Sequence, residues 1–234
     1  MPNPRPLLEI SVESLSSAIA AERGGANRIE LCADLSVGGL TPSESLMRDT
    51  RAELQIPIFA MIRPRAGNFV YSTNELAQMR DEITLAKSCK MDGLVFGILH
   101  ENKSIHIEQT RELVELARPL PVTFHRAFDE TPDLHIALES VIATGATRIL
   151  TSGGKPTALE GASALADLIR TANCRVKILP GGGINPGNLR EVISLTHASE
   201  FHSGLGSTLP YGQSSSSAFE SAVRELAKIL SSPL

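Results

Sequence analysis

The residues of this chain best suited to chemistry stand at the ends of short apolar runs. The clearest such run, Val122-Thr123-Phe124, stops abruptly at His125 and Arg126, with Asp129 just beyond. Glu9, Glu30, Cys32, Arg63, Glu200 and His202 occupy comparable places elsewhere in the chain. Ionisable groups inside a core are costly unless they are paired or used, so their recurrence at run ends marks a site. Carboxylates and histidines in a partly dry cleft suit proton transfer, because burial and neighbouring charge bring their pKa values toward neutrality. The same groups suit a metal ion. Arg63, Arg65 and Arg126 suit an anion, through forked hydrogen bonds. Residue types alone leave these uses open, and a buried ion-pair network filling the core is the structural alternative.

A second signal is glycine. Pro180-Gly181-Gly182-Gly183-Ile184-Asn185-Pro186 lets backbone amides approach a ligand, and a helix expected to open at Asn185 adds partial positive charge. Ser203-Gly204-Leu205-Gly206-Ser207 reads as the second half of one phosphate cradle, and Thr151-Ser152-Gly153-Gly154 as a weaker counterpart. Gly181, Gly182, Gly183 and Gly204 are therefore candidate cofactor-binding positions, with tight turns that hold no ligand as the plain alternative.

The elements that must position these residues alternate from end to end. Strands are expected at residues 7–12, 28–32, 57–62, 93–98, 121–125, 147–151, 175–179 and 200–203, with helical patterns between them. Ser72 and Glu75 form a capping box, Asn185 precedes a proline as a helix start, and Gly24 and Gly145 mark helix stops. Phe219, Val223, Leu226, Ala227 and Leu230 recur at helical spacing across residues 218–230, after a serine run at 214–217 that reads as a loop. Eight strand–helix units without a break in composition imply an α/β fold: a single-domain (β/α)8 TIM barrel over residues 1–234. The alternative is an open doubly wound sheet, and no G-x-G-x-x-G follows the first strand to support it. The longer connections at 33–43, 64–71 and 204–217 all leave the carboxyl ends of strands, where barrel active sites are built.

Side chains alternate faces along a strand. Leu8, Ile10 and Val12 share one face of the first strand, and Glu9, Ser11 and Glu13 the other. The apolar faces must pack beneath the helices. Glu9, Glu30, Cys32, Arg63, His125, Glu200 and His202 therefore point into the barrel, several of them at its carboxyl end.

The totals narrow the classes. The 234 residues are 42% hydrophobic and 21% charged, an ordinary globular balance. A formal charge of −4 gives no basic footprint, so no nucleic-acid partner is expected. No apolar run approaches the roughly 20 residues that cross a bilayer, so no membrane partner is expected. The N-terminus lacks the apolar core of a signal peptide, which makes the cytoplasm the expected location. Cys32, Cys89 and Cys174 lack metal or disulfide spacing. Cys32 ends an inward-facing series and is the candidate thiolate ligand, whereas Cys89 and Cys174 read as buried, inert thiols.

Several segments together resemble the CutC family, the copper homeostasis proteins. They are Arg28-Ile29-Glu30-Leu31-Cys32 with Gly38-Gly39-Leu40-Thr41-Pro42-Ser43, and Met61-Ile62-Arg63-Pro64-Arg65 with Gly67, Phe69, Tyr71 and Ser72. Thr123-Phe124-His125-Arg126-Ala127-Phe128-Asp129, Arg148-Ile149-Leu150-Thr151-Ser152-Gly153 and Glu200-Phe201-His202-Ser203 complete the set. The resemblance implies a cytosolic TIM barrel, a homodimer or higher homo-oligomer, and binding of Cu(I) through cysteines at the ends of the first two strands. Cys32 matches the second of these positions, and Ser11 stands at the first. A hydroxyl is a poor Cu(I) ligand beside a soft thiolate. The resemblance brings no settled enzymatic activity, and whether the chain is an enzyme stays open at this point.

Three functions fit these signals. One is copper handling through Cys32. Another is an isomerase, lyase or hydrolase acting on a small anionic, sugar- or phosphate-bearing substrate. There His125 and Glu9 or Glu30 exchange protons while Arg63 and Arg126 hold the anion, and His202 joins the same mouth. The third, a scaffold acting through its surface, gives no reason to collect polar groups inside a barrel.

Overall fold

The structure, a computed structural model, describes residues 6–205 and 216–232. Strand and helix alternate throughout: β1 Leu7–Val12, α1 Leu15–Gly24, β2 Arg28–Leu31, α2 Glu44–Glu53, β3 Ile58–Met61, α3 Thr73–Ser88, β4 Gly93–Phe96 and α4 Ile107–Ala117. The second half repeats the pattern with β5 Val122–Phe124, α5 Leu134–Thr144, β6 Arg148–Thr151, α6 Ala162–Ala172, β7 Lys177–Pro180, α7 Leu189–Thr196, β8 Glu200–Ser203 and α8 Ser216–Ser231. All ladders are parallel, in the order β7-β6-β5-β4-β3-β2-β1-β8. β8 lies against β7 and brings the eight strands round into a nearly closed barrel, the expected architecture rather than the open sheet.

Two apolar clusters bear out the expected parity. Leu8, Ile10, Ile29, Leu31, Ile58, Leu94, Phe96, Phe124 and Phe201 face outward into one large core beneath the helices. Phe59, Met61, Val95 and Cys32 form a separate cluster inside the barrel, with Leu35 packed against it. The first cluster fixes each helix to the sheet, and the second leaves the rest of the interior to polar groups.

Local signals hold with adjustments. Ser72 and Glu75 form the reciprocal capping box at α3, and Gly145 closes α5 in the left-handed conformation. At α1 the left-handed cap is Gly25 rather than Gly24, which is the last helical residue. A Cβ at Gly24 would lie 2.6 Å from that of Val223, so packing against α8 requires glycine there. α7 begins at Leu189, three residues beyond the expected position, because Asn185 turns the chain first. Its Oδ1 accepts the Gly187 amide at 2.9 Å, and Asn188 becomes the cap. Ser216 and Ser217 belong to α8, not to a loop, while Ser214 and Ser215 lie outside the described residues. Cys174 is exposed, not buried, and all three cysteines are free thiols. No helix among the described residues is long and apolar enough to cross a membrane.

Glu9, Glu30, Glu200 and His202 lie within strands, whereas Cys32, Arg63 and His125 stand just past them. The Cys32 amide donates to Val12 O at 2.9 Å and the His125 amide to Phe96 O at 3.2 Å. The Arg63 amide leaves the ladder and donates to Thr41 Oγ1 at 2.8 Å.

Candidate functional site

Inside the barrel the polar residues form two layers joined by Glu9. At the amino end, Arg28 ion-pairs with Glu9 and reaches Glu200 at 2.9 Å. Arg148 meets the same Glu200 carboxylate at 2.6 and 3.2 Å and donates to Thr123 Oγ1 at 3.3 Å. Both guanidinium groups lie over the ring of Phe59, 4.8 and 5.4 Å from its centre. Burial alone would raise the Glu200 carboxyl, but Arg148 and Arg28 outweigh it and hold it below the usual range. This layer is a closed, satisfied floor.

Glu9 carries the network upward. Its second oxygen lies 2.8 Å from His202 Nδ1, and His202 Nε2 lies 3.9 Å from Glu30 Oε2. One ligand-type atom from each of Glu9, Glu30 and His202 falls within 4.8 Å of the others. Burial would raise Glu9, yet Arg28 and His202 hold it at about 2. Burial would lower His202, and the charges of Glu30 and Glu9 push it up instead. Glu30 has no cation of its own, and burial lifts its carboxyl to about 7 despite the nearby His202. Glu9 and His202 thus form a charged pair beside a carboxyl poised near neutrality. The histidine that these carboxylates meet is His202; His125 stands apart from them.

Above this lies a cavity of about 430 Å³ at the carboxyl end of the strands. Ser11, Glu30, Arg63, His125, Arg126 and His202 line it, together with Phe69, Gly182, Gly183 and Gly204. The tertiary structure therefore brings together most of the expected residues, with Glu9 beneath the cavity and Cys32 and Gly181 behind its wall. Gly181 makes room: a Cβ there would lie 2.5 Å from Leu150 and 3.2 Å from the Cβ of His202. The amides of Gly182, Gly183 and Gly204 donate to no atom of the described residues. Gly206 and Ser207, expected to complete the cradle, lie outside the described residues.

The two arginines of the mouth are used differently. Arg126 is partly exposed, held by Asp129 and Ser152 at 2.8 Å each, and faces Gly182. Arg63 is buried, and its Nη atoms donate to the carbonyls of Val37, Gly39 and Gly67 at 2.8–3.1 Å. Three of its five N–H groups tie two loops to the barrel, which leaves its charge, Nε–H and one Nη2–H for a ligand. His125 Nδ1 accepts the Ala127 amide at 3.3 Å, and its ring tilts against Phe69 at 4.7 Å. Burial first, and then the Arg63 charge, push the His125 imidazole down to about 3, so it is neutral near pH 7. Glu30 Oε1, Arg63 Nε and His125 Nε2 are all buried without a hydrogen-bond partner among the described residues.

Cys32 is fully buried, and its thiol donates to Glu30 Oε2 at 3.6 Å. Burial, and then the Glu30 charge, push that thiol well above its ordinary range. Gly39 covers it so closely that a Cβ there would come within 2.9 Å of the sulfur.

Arg28, Arg148, Phe69 and Asp129 are the site residues that sequence reasoning underrated. Arg28 shares parity with Glu30, a signal that was available. Asp129 accepts from Thr151 Oγ1, the amides of Ser152 and Gly154, and Arg126, and so orders the loop after β6. A second group of metal-type donors, His100, His106 and Glu108, lies outside the barrel. Its two imidazoles stack face to face at 4.0 Å, which sets their lone pairs side by side rather than toward one point.

Residues 6–207 match the model of the CutC family. The human protein named copper homeostasis protein cutC homolog is 48% identical over 206 residues, covering 88% of this chain and 76% of its own. A family protein CutC from Chromobacterium violaceum is 43% identical over 196 residues, 84% of this chain and 79% of its own. The solved structure of CutC from Streptococcus agalactiae superposes with a TM-score of 0.81 at 34% identity, covering 85% of this chain and 98% of its own.

Proposed function

The chain belongs to the CutC family, and from that premise we propose that its barrel mouth binds a small organic anion and moves a proton on it. The observation that carries this reading is Glu30. Its Oε1 is a buried acceptor without a partner on the wall of the cavity, and its other oxygen faces the His202–Glu9 pair. A carboxyl near pKa 7 is suited to act as base and then as acid. The amides of Gly182, Gly183 and Gly204, which meet no acceptor among the described residues, supply with Arg126 the donors for the anionic group, at the loops where barrels commonly hold phosphate. Isomerases, lyases and hydrolases share such a proton transfer, and this is the class in which we place the protein.

Calorimetric titration with 2-phosphoglycolate and inorganic phosphate tests the reading. Binding is expected, with roughly tenfold to hundredfold loss in Arg126→Gln, a charged hydrogen-bond donor removed. Absence of binding, or binding indifferent to Arg126, overturns it.

Copper handling is the second reading of the same mouth, favoured by the family's human and mouse names and by Cys32 beside Met61. The donors do not fit a resident Cu(I). There is one thiol, held protonated, with carboxylates near it and Ser11 where a second sulfur belongs. Titration with Cu(I) under reducing conditions is expected to show binding no tighter than micromolar; tighter binding that is lost in Cys32→Ala restores the copper reading. A cytoplasmic, homo-oligomeric protein is part of the same proposal, tested by cell fractionation and light scattering.

A further inference from the structure

We infer that the ligand enters this mouth oxygen first, presenting a carbonyl- or enolate-type oxygen to the Nε2–H of His125 and the Nε–H of Arg63. The inference rests on the anion-site reading and narrows it to a class: small anions with a carbonyl, or a carboxylate in its place.

Two buried donors without partners carry the argument. His125 Nδ1 accepts the Ala127 amide, so in the neutral ring the proton resides on Nε2, and Nε2 has no acceptor. Arg63 directs three of its N–H groups to loop carbonyls and lies by the buried Tyr71 hydroxyl, and its Nε has no acceptor within hydrogen-bond distance among the described residues. Both side chains line the cavity, and both pack on the ring of Phe69, His125 at 4.7 Å and Arg63 at 5.0 Å. The charge of Arg63 also acts on the His125 ring, so the two are neighbours. Buried polar groups are ordinarily satisfied; two adjacent donors left open on one cavity wall call for one acceptor. A metal cation is excluded from this spot, because Arg63 repels it and both atoms carry hydrogens.

The backbone holds this arrangement in place. A Cβ at Gly97 would stand 2.8 Å from His125 Nδ1, so glycine permits the ring's position. The three carbonyls on Arg63 fix its guanidinium independently of any ligand. Donors set in advance at an oxygen stabilise the charge that develops there. When a base removes the proton from the carbon next to that carbonyl, the C–H pair forms the C=C bond and the C=O pair moves onto the oxygen. Return of the proton from the same acid to that carbon reverses the flow, with nothing oxidised or reduced overall.

Nitrogen-15 NMR of histidine-labelled protein tests this without a substitution. The free protein is expected to show His125 as the Nε2–H tautomer from pH 5 to 8. Saturation with oxalate or 2-phosphoglycolate is expected to move the Nε2 proton downfield, and Gly97→Ala to displace the signal before any anion is added. Binding of either anion with the His125 signal unmoved, or an Nδ1–H or protonated ring at pH 6, overturns the inference and leaves the anion site standing. Failure of both anions to bind overturns the anion site, and the inference with it.

Discussion

Arg28 and Arg148 at the floor of the barrel and Arg63 and His125 at its mouth are all buried and inward-facing, on strands that differ little in apolar pattern. At the floor the Glu200 carboxylate meets both arginines, Glu9 meets Arg28, and Phe59 fills the space between the guanidinium groups. At the mouth Glu30, Arg63 and His125 each keep one polar atom without a partner. Buried ions are tolerated where every lone pair is met, and the floor meets that condition. The mouth is unsatisfied around the cavity, which is where a ligand would complete it. Residue type does not separate a structural network from a site; the state of the individual atoms does.

Breaking the floor should give the largest effect. Arg28→Ala leaves buried Glu9 with His202 alone and Glu200 with Arg148 alone, and urea denaturation should register a loss of about 3–5 kcal/mol. A loss below about 1 kcal/mol would mean that the floor is not the structural layer described.

The effect of pH on Glu30 is next in size. Its carboxyl rises from the usual 4.5 to about 7 in the folded chain, so the unfolded chain releases that proton first. Stability should therefore fall by a few kcal/mol as pH rises from about 4.5 to 7 and then level off. Glu30→Gln should flatten that part of the profile. The fall that persists above the ordinary histidine range belongs to His202, whose raised pKa favours the folded state only while the ring is protonated. An unchanged profile in Glu30→Gln would show that this carboxyl is not the poised group.

The smallest change is expected at Ser11, which lines the mouth and whose hydroxyl makes no hydrogen bond with the described residues. Ser11→Ala should stay within about 0.5 kcal/mol of the parent in the same denaturation assay. A larger loss would extend the structural layer into the mouth and weaken the contrast.

Much of this was legible beforehand. Glu9, Glu30 and His202 were placed on one interior face from parity alone, because alternation along a strand depends only on the residues beside each one. Asn185 was read as a helix start, and the Asx turn that delays α7 to Leu189 gives no signal distinct from an N-cap. At Arg63 no local pattern tells that three of its N–H groups meet loop carbonyls, since a guanidinium at a strand end looks the same with or without them.

The sequence by itself determined the barrel, its inward polar set, the glycine turn after β7, and the CutC membership. All of these rest on short-range periodicity or on motifs read in order. Only the tertiary structure decided partnership. Arg28 finds Glu200 at a separation of 172 residues and His202 finds Glu9 at 193. Closure of the sheet makes those pairs neighbours, and no local pattern encodes the pairing. The same closure left His125 Nε2, Arg63 Nε and Glu30 Oε1 without partners, and so turned a polar interior into a candidate site.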